Sequence, residues 1–260
     1  MRGWWRRIAE STPVEWSFWR YNWLANHKVI AAAKRTRPHA HGVLLDVGCG
    51  SMRARRWYEG RITRYLGVDL ATSPYLEDEH LTAYARGEAL PFRGGSVDTV
   101  FGMSMLTYLP EPQRMIEEAH RVLRPGGTLI LEFTQMCPLH DEPHDYFRFT
   151  RLGAQWMLER AGFDVVESVP IGGLMARVGL SAIAALNRIN RGPIRVVTEL
   201  PVRVLYVVLQ LGFEVLDRLF FDPREVLAHL VVARKREPAP DTSGNMSVAA
   251  TSLTEPAPGR

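Results

Sequence analysis

The chain has 260 residues, 46% of them apolar, which suits one α/β domain carrying an extension. Its formal charge of +4 admits an anionic substrate, nucleic acid or an anionic membrane surface, and selects none of them. Only two cysteines, Cys49 and Cys137, argue against a disulfide framework and for a reducing compartment. Glu10 and Glu15 interrupt any signal-like core after Arg2, Arg6 and Arg7. No stretch reaches the roughly 18–20 uncharged apolar residues of a spanning helix, so the expected location is cytoplasmic.

Residues 1–40 read as a Trp/Arg-rich helical arm. Trp4, Trp5, Trp16, Trp19 and Trp23 stand among Arg2, Arg6, Arg7 and Arg20, and Pro13 after Ser11-Thr12 marks a helix start. Such an arm docks on the main domain, covers a substrate, or anchors at an interface. From residue 41 to 170 short apolar runs alternate with helical stretches. Val43–Val47, Tyr65–Asp69, Val97–Gly102, Gly127–Phe133 and Phe163–Val169 read as strands, Pro112–Val122 and Arg151–Ala161 as helices. This alternation predicts a doubly wound α/β fold with a mostly parallel sheet and helices on both faces. Residues 171–225 form an apolar helical insertion with two long stretches, Leu174–Asn187 and Val202–Phe221. In the second, Arg203, Gln210, Glu214 and Asp217 recur at helical spacing as a narrow polar stripe. That insertion is buried, forms a homodimer contact, or lies with the arm on a membrane surface. Residues 226–236 hold the final strand, and 237–260 read as a disordered tail.

The chemistry begins where the first strand ends. Asp46 precedes Gly48-Cys49-Gly50, and glycines there let the backbone turn tightly against a ligand. Asp69 ends the next strand, where a carboxylate can accept both ribose hydroxyls of an adenosine. This pair serves a dinucleotide as well. A pyrophosphate fingerprint, however, wants a third glycine at the position of Arg53.

Downstream stand Ala89-Leu90-Pro91-Phe92, Ser96-Val97-Asp98-Thr99-Val100 and Arg121-Val122-Leu123-Arg124-Pro125-Gly126-Gly127. With the first turn, these runs resemble the class I S-adenosylmethionine-dependent methyltransferases of the methyltransferase-11 family, from about Val43 to Val169. The resemblance implies a Rossmann-like sheet of seven strands, with the helical insertion before the last, and S-adenosylmethionine as cofactor. It implies that Asp46, Gly48, Cys49 and Gly50 hold the methionine end, Asp69 the ribose, and Leu70 the adenine face. Met103 and Ser104 then line the pocket near the sulfonium. The family places an acid where this chain has Arg86, so Gly87 or Glu88 is expected to meet the adenine amine. Thr107-Tyr108 stands where many relatives carry Glu-His.

The run from His140 to Thr150 (His-Asp-Glu-Pro-His-Asp-Tyr-Phe-Arg-Phe-Thr) is similar to a segment of relatives reading His-Glu-Glu-Pro-His-Asp-Tyr-Phe-Arg-Tyr-Thr. His140 or His144 is a candidate general base oriented by Asp141 or Asp145, with Tyr146 and Arg148 as candidate substrate contacts. The competing reading makes the run a structural clamp. A metal held by His140, Asp141, His144 and Asp145 is disfavoured because Pro143 breaks the helix that would align them. The function expected is methyl transfer at oxygen to a small-molecule, glycan or lipid-linked acceptor. The alternatives are a non-catalytic binding module of the same fold and an NAD(P)-dependent oxidoreductase. Nucleic acid is not expected as a partner, for lack of a long basic stripe.

Overall fold

A computed structural model describes residues 18–52, 54–76, 81–190 and 195–237. The helix start at Pro13, Arg53 and the tail beyond 237 lie outside them. In chain order the elements are α1 (Trp23–Thr36), β1 (Gly42–Val47), α2 (Ala54–Tyr58), β2 (Ile62–Asp69), β3 (Ala83–Tyr84) and β4 (Val97–Gly102). There follow α3 (Pro112–Val122), β5 (Leu123–Thr134), α4 (Arg151–Arg160), β6 (Phe163–Ile171), α5 (Leu174–Ile189), α6 (Arg195–Leu219) and β7 (Ala228–Lys235).

The strands form one seven-stranded sheet in the order β3-β2-β1-β4-β5-β7-β6. The pairs from β3 to β5 are parallel, whereas β7 runs antiparallel to both β5 and β6. β6 therefore points the same way as β5, and its carboxyl end lies on the same edge as those of β1, β2 and β4. Alternation along each strand divides the core in two. On one face Leu45, Val47, Val68 and Leu131 meet Met115, Ile116 and Ala119 of α3 and Leu158 of α4. On the other Leu44, Phe101, Ile130 and Val232 meet Ala32 of α1 and Tyr58 of α2. Strands covered on both faces read as apolar runs, which is why β1, β4 and β5 stand out in the sequence.

β5 starts four residues before the expected Gly127, because Leu123 already pairs with Val97 ahead of an irregularity in register. β3 has two residues, too few for any periodicity to show. After α4, Gly162 turns the chain at φ +88°, where an added Cβ would lie 3.0 Å from the His120 ring.

The polar stripe of α6 turns inward. Gln210 is fully buried: its Oε1 accepts from Leu24 N at 3.0 Å, and its Nε2 donates to Phe18 O at 3.0 Å. Asp217 accepts from the amides of Gly173 (3.0 Å) and Ala176 (2.9 Å), which satisfies the otherwise unpaired first turn of α5. Lys28 of α1 reaches Glu214 and Asp217, each at 2.8 Å. The stripe is thus the glue that fastens α6 to α1 and α5.

Candidate functional site

At the carboxyl edge the chain leaves β1 through Gly48 (φ +73°) and Gly50 (φ +50°). A Cβ on Gly48 would stand 2.9 Å from Met105 Cβ, so the turn is closed to any larger residue. Gly48 N and Cys49 N both donate to Val68 O, at 2.9 and 3.1 Å, which pins the turn against β2. Asp69, ending β2, is buried and accepts from Gly50 N and Leu70 N, each at 2.7 Å. Each carboxylate oxygen keeps a second lone pair, so two ribose hydroxyls can still be accepted there. Leu70 beside it is 42% exposed, an apolar face available for stacking.

Asp46 is buried within β1 and accepts from the Tyr65 hydroxyl of β2. Register explains the contact. Asp46 sits opposite Gly67, which has no side chain, and Tyr65 lies two residues earlier on the same face. Burial pushes the Asp46 carboxyl up to about 7, against the lowering effect of the Tyr65 hydrogen bond and with a further push from Asp69. Tyr65 was not singled out from the sequence; its two-residue offset from the position opposite Asp46 was the signal.

Past β4, Met103 packs partly against the second core face, and Ser104 takes φ +51°. Ser104 N and Oγ both donate to Glu132 Oε2 at 3.0 Å. Glu132, another residue not foreseen, is buried on β5, and that burial raises its carboxyl pKa despite these bonds and one from Thr134. A lone acid inside Leu-Ile-Leu-Glu-Phe was its sequence signature. Gly87 packs so closely that a Cβ would come within 3.0 Å of Met115 Cγ and 3.1 Å of Met105 Cε. Glu88 is buried; one oxygen meets Arg86 at 3.3 Å, and the other, Oε2, has no partner. An unpartnered buried acceptor beside Gly87 is what an adenine amine would satisfy. Glycine turn, ribose acceptor, apolar face and free acceptor together fit S-adenosylmethionine.

Three loops meet above this edge. Tyr75, whose Cβ would lie 3.5 Å from a Cβ on Gly50, donates from its hydroxyl to Asp141 Oδ2 at 2.9 Å. Tyr108 Oη lies 3.1 Å from the same oxygen and 2.5 Å from His140 Nε2. His140 Nδ1 is 3.1 Å from Pro138 O. Burial and Asp141 raise the Tyr108 phenol, which keeps it protonated. Neither tyrosine was foreseen, because each is brought in by a loop distant in sequence.

The rest of the loop is a clamp. The Asp145 side chain is fully covered, paired to Arg148 through both guanidinium ends, and accepts from His140 N at 3.0 Å. Arg148 also donates to the carbonyls of Cys137, Phe147 and Pro138. The guanidinium holds Asp145 well below the usual carboxylate range. Tyr146 N donates to Thr107 O at 2.9 Å, and His144 Nδ1 contacts Tyr146 Oη at 3.1 Å. His140 therefore faces the three-loop cluster, His144 and Tyr146 lie at its exposed rim, and Asp145 and Arg148 are spent on each other. Asp145→Ala is expected to destabilise the protein by about 2 kcal/mol, since it removes the charge-assisted bonds from Arg148 and the acceptor of His140 N while Arg148 keeps its carbonyl acceptors. Urea unfolding measures this, and a change below about 1 kcal/mol would show that the loop holds without the pair.

Residues 45–131 match the methyltransferase-11 family, described as a methyltransferase domain. The ubiquinone biosynthesis O-methyltransferase of Pseudomonas aeruginosa (strain UCBPP-PA14) is 25% identical over 170 residues, 60% of this chain and 66% of that protein. The tRNA U34 carboxymethyltransferase of Hahella chejuensis (strain KCTC 2396) is 31% identical over 176 residues, 59% of this chain and 53% of that protein. Phosphoethanolamine N-methyltransferase 2 of Haemonchus contortus, solved with S-adenosyl-L-methionine, shares the fold with a TM-score of 0.53 at 18% identity, over 85% of this chain and 57% of that one. Together with the sheet order and the glycine turn, the match over residues 45–131 makes that segment a methyltransferase domain on a Rossmann-like sheet. The glycine turn, Asp69, Leu70 and Glu88 fit S-adenosylmethionine as the methyl donor of that domain.

Proposed function

We propose that this chain methylates an oxygen of a small-molecule, glycan or lipid-linked acceptor, with His140 as the base. The observation that carries this reading is the placement of His140 Nε2, 2.5 Å from Tyr108 Oη in the loop cluster over the cofactor turn. A proton on Nδ1, donated to Pro138 O, leaves Nε2 as the acceptor. The cofactor supplies an electrophilic methyl on a sulfonium. An acceptor hydroxyl that displaced Tyr108 from Nε2 would give its proton to His140, which would free its oxygen to take the methyl. Asp145, bonded to His140 N, and Tyr108 position the ring; Asp46, Asp69, Gly50 and Glu88 hold the cofactor.

The acidic character of the loop (Asp141, Glu142, Asp145) favours a neutral or cationic acceptor over nucleic acid. The test uses labelled methyl donor, the protein and cell extract, with identification of the labelled product. His140→Gln is expected to lower product formation at least about 100-fold while S-adenosylhomocysteine binding is unchanged. A well-folded protein that binds S-adenosylhomocysteine and labels nothing would leave only the binding-module reading. Equal turnover in His140→Gln would remove His140 from the chemistry.

A further inference from the structure

The inward turn of the α6 polar stripe leaves the opposite, apolar side of the helix facing out. Leu200, Val204, Val208, Leu211, Val215 and Leu219 follow one another three or four residues apart, and each is between 43% and 70% exposed. The stripe runs along a 25-residue helix, about 37 Å at 1.5 Å per residue. Phe220 and Phe221 extend it, at 64% and 44% exposed. A continuous apolar surface of this length is not left bare on a soluble monomer without a use. Among the described residues no helix is long and apolar enough to cross a membrane.

We propose that this face docks on an anionic lipid surface, with α6 lying in the plane of the interface. Charge decides the occupant. Residues 1–40 hold eight Lys/Arg against two Asp/Glu, and residues 174–221 hold six against three. Residues 41–173 hold thirteen against eighteen. The basic excess of the whole chain is therefore carried by residues 1–40 and 174–221. Two of the three acids of 174–221, Glu214 and Asp217, are turned inward onto Lys28, and Glu214 also pairs with Arg218 at 2.7 Å. A second copy of this face would be repelled by the same charge, whereas an anionic headgroup layer is attracted.

Aromatic residues point the same way. Trp19 and Tyr21 are 43% and 54% exposed where the chain enters α1, and Arg203 of α6 reaches Trp19 O at 3.4 Å. Indole and phenol rings favour the level of lipid headgroups. Phe18 O accepts from Gln210 of α6, which fastens the residues just before α1 to this helix. Because α5 follows directly on the carboxyl end of β6, the helix pair is attached at the sheet edge that bears the cofactor turn.

The experiment is flotation of the full chain with phosphatidylcholine vesicles, with and without phosphatidylglycerol. The chain is expected to float with the phosphatidylglycerol vesicles, progressively less as salt is raised. Val208→Glu combined with Val215→Glu is expected to weaken partitioning at least about tenfold, while its circular dichroism melt and S-adenosylhomocysteine binding stay unchanged. Docking is overturned if the wild-type chain stays in solution with anionic vesicles, or if both proteins float equally. It is also overturned if light scattering shows a dimer that the double substitution dissociates and neither protein binds vesicles. Vesicle binding that emerges only after removal of residues 1–17 would instead name that segment as the cover of the face. S-adenosylhomocysteine binding reports separately on the cofactor site, so neither reading depends on the other.

Discussion

Asp69→Ala is expected to weaken S-adenosylhomocysteine binding at least about 100-fold, near 3 kcal/mol, as read by titration calorimetry. The side chain does two things at once. It accepts from the Gly50 and Leu70 amides at 2.7 Å, which holds the glycine turn against β2, and its remaining lone pairs are those that would accept the ribose hydroxyls. Hydrogen bonds to a charged acceptor contribute roughly 1.5–3 kcal/mol each, so losing two hydroxyl contacts reaches the expected loss without counting the turn. Asp69→Asn keeps one carbonyl acceptor and is expected to fall between. Binding by the alanine variant within about threefold of wild type would mean that the ribose is held elsewhere.

The second large effect concerns Asp46 and pH. Its carboxyl ionises near 7 in the folded chain and near 3.8 when exposed. Between those values the folded state binds a proton that the unfolded state has lost, so stability is highest below about pH 4 as far as this group is concerned. It declines as the pH rises through 7, by up to about 4 kcal/mol at 1.36 kcal/mol per unit. Asp46→Asn keeps an acceptor for the Tyr65 hydroxyl and removes the titration. The variant is expected to be the more stable protein at pH 8, with the gap closing toward pH 4. Urea unfolding across that range, without cofactor, measures it. Parallel pH profiles would show that water or a shift of the strands relieves the buried charge.

The two predictions differ in how far the sequence alone reached them. The place of Asp69 beside the glycine turn was legible because a glycine turn and an acid at the next strand end are both set by local spacing, and the chain needs nothing distant to form them. Asp46 was legible as a site residue, but not its shifted ionisation. That comes from burial within the folded sheet and from Asp69, and is opposed by the Tyr65 hydroxyl that reaches Asp46 across the β1–β2 ladder. In the same way the run from His140 to Arg148 was visible as a cluster of polar and aromatic groups. Only the fold divides it into a clamp of Asp145 and Arg148 and a face bearing His140, since Tyr75, Tyr108 and Thr107 arrive from two other loops. Arg86 and Glu88 show a middle case. Their order along the chain suggested Glu88 for the adenine, and the structure adds an unpartnered buried oxygen there.

By itself, then, the sequence determined the strands buried on both faces, the helices between them, the glycine turn and the acids beside it. These follow from periods of two and 3.6 residues and from backbone freedom at Gly48 and Gly50, all of which act within a few positions. Tertiary structure decided the antiparallel course of β7, the loop cluster around His140 and the direction in which α6 faces. A polar stripe on an apolar helix has the same pattern whether the stripe or its opposite side meets the protein. Here Lys28, the Leu24 amide and the open amides of Gly173 and Ala176 supply partners for the stripe, so it turns in and the apolar side turns out. Partners up to 192 residues away settle that orientation, and no local pattern encodes it.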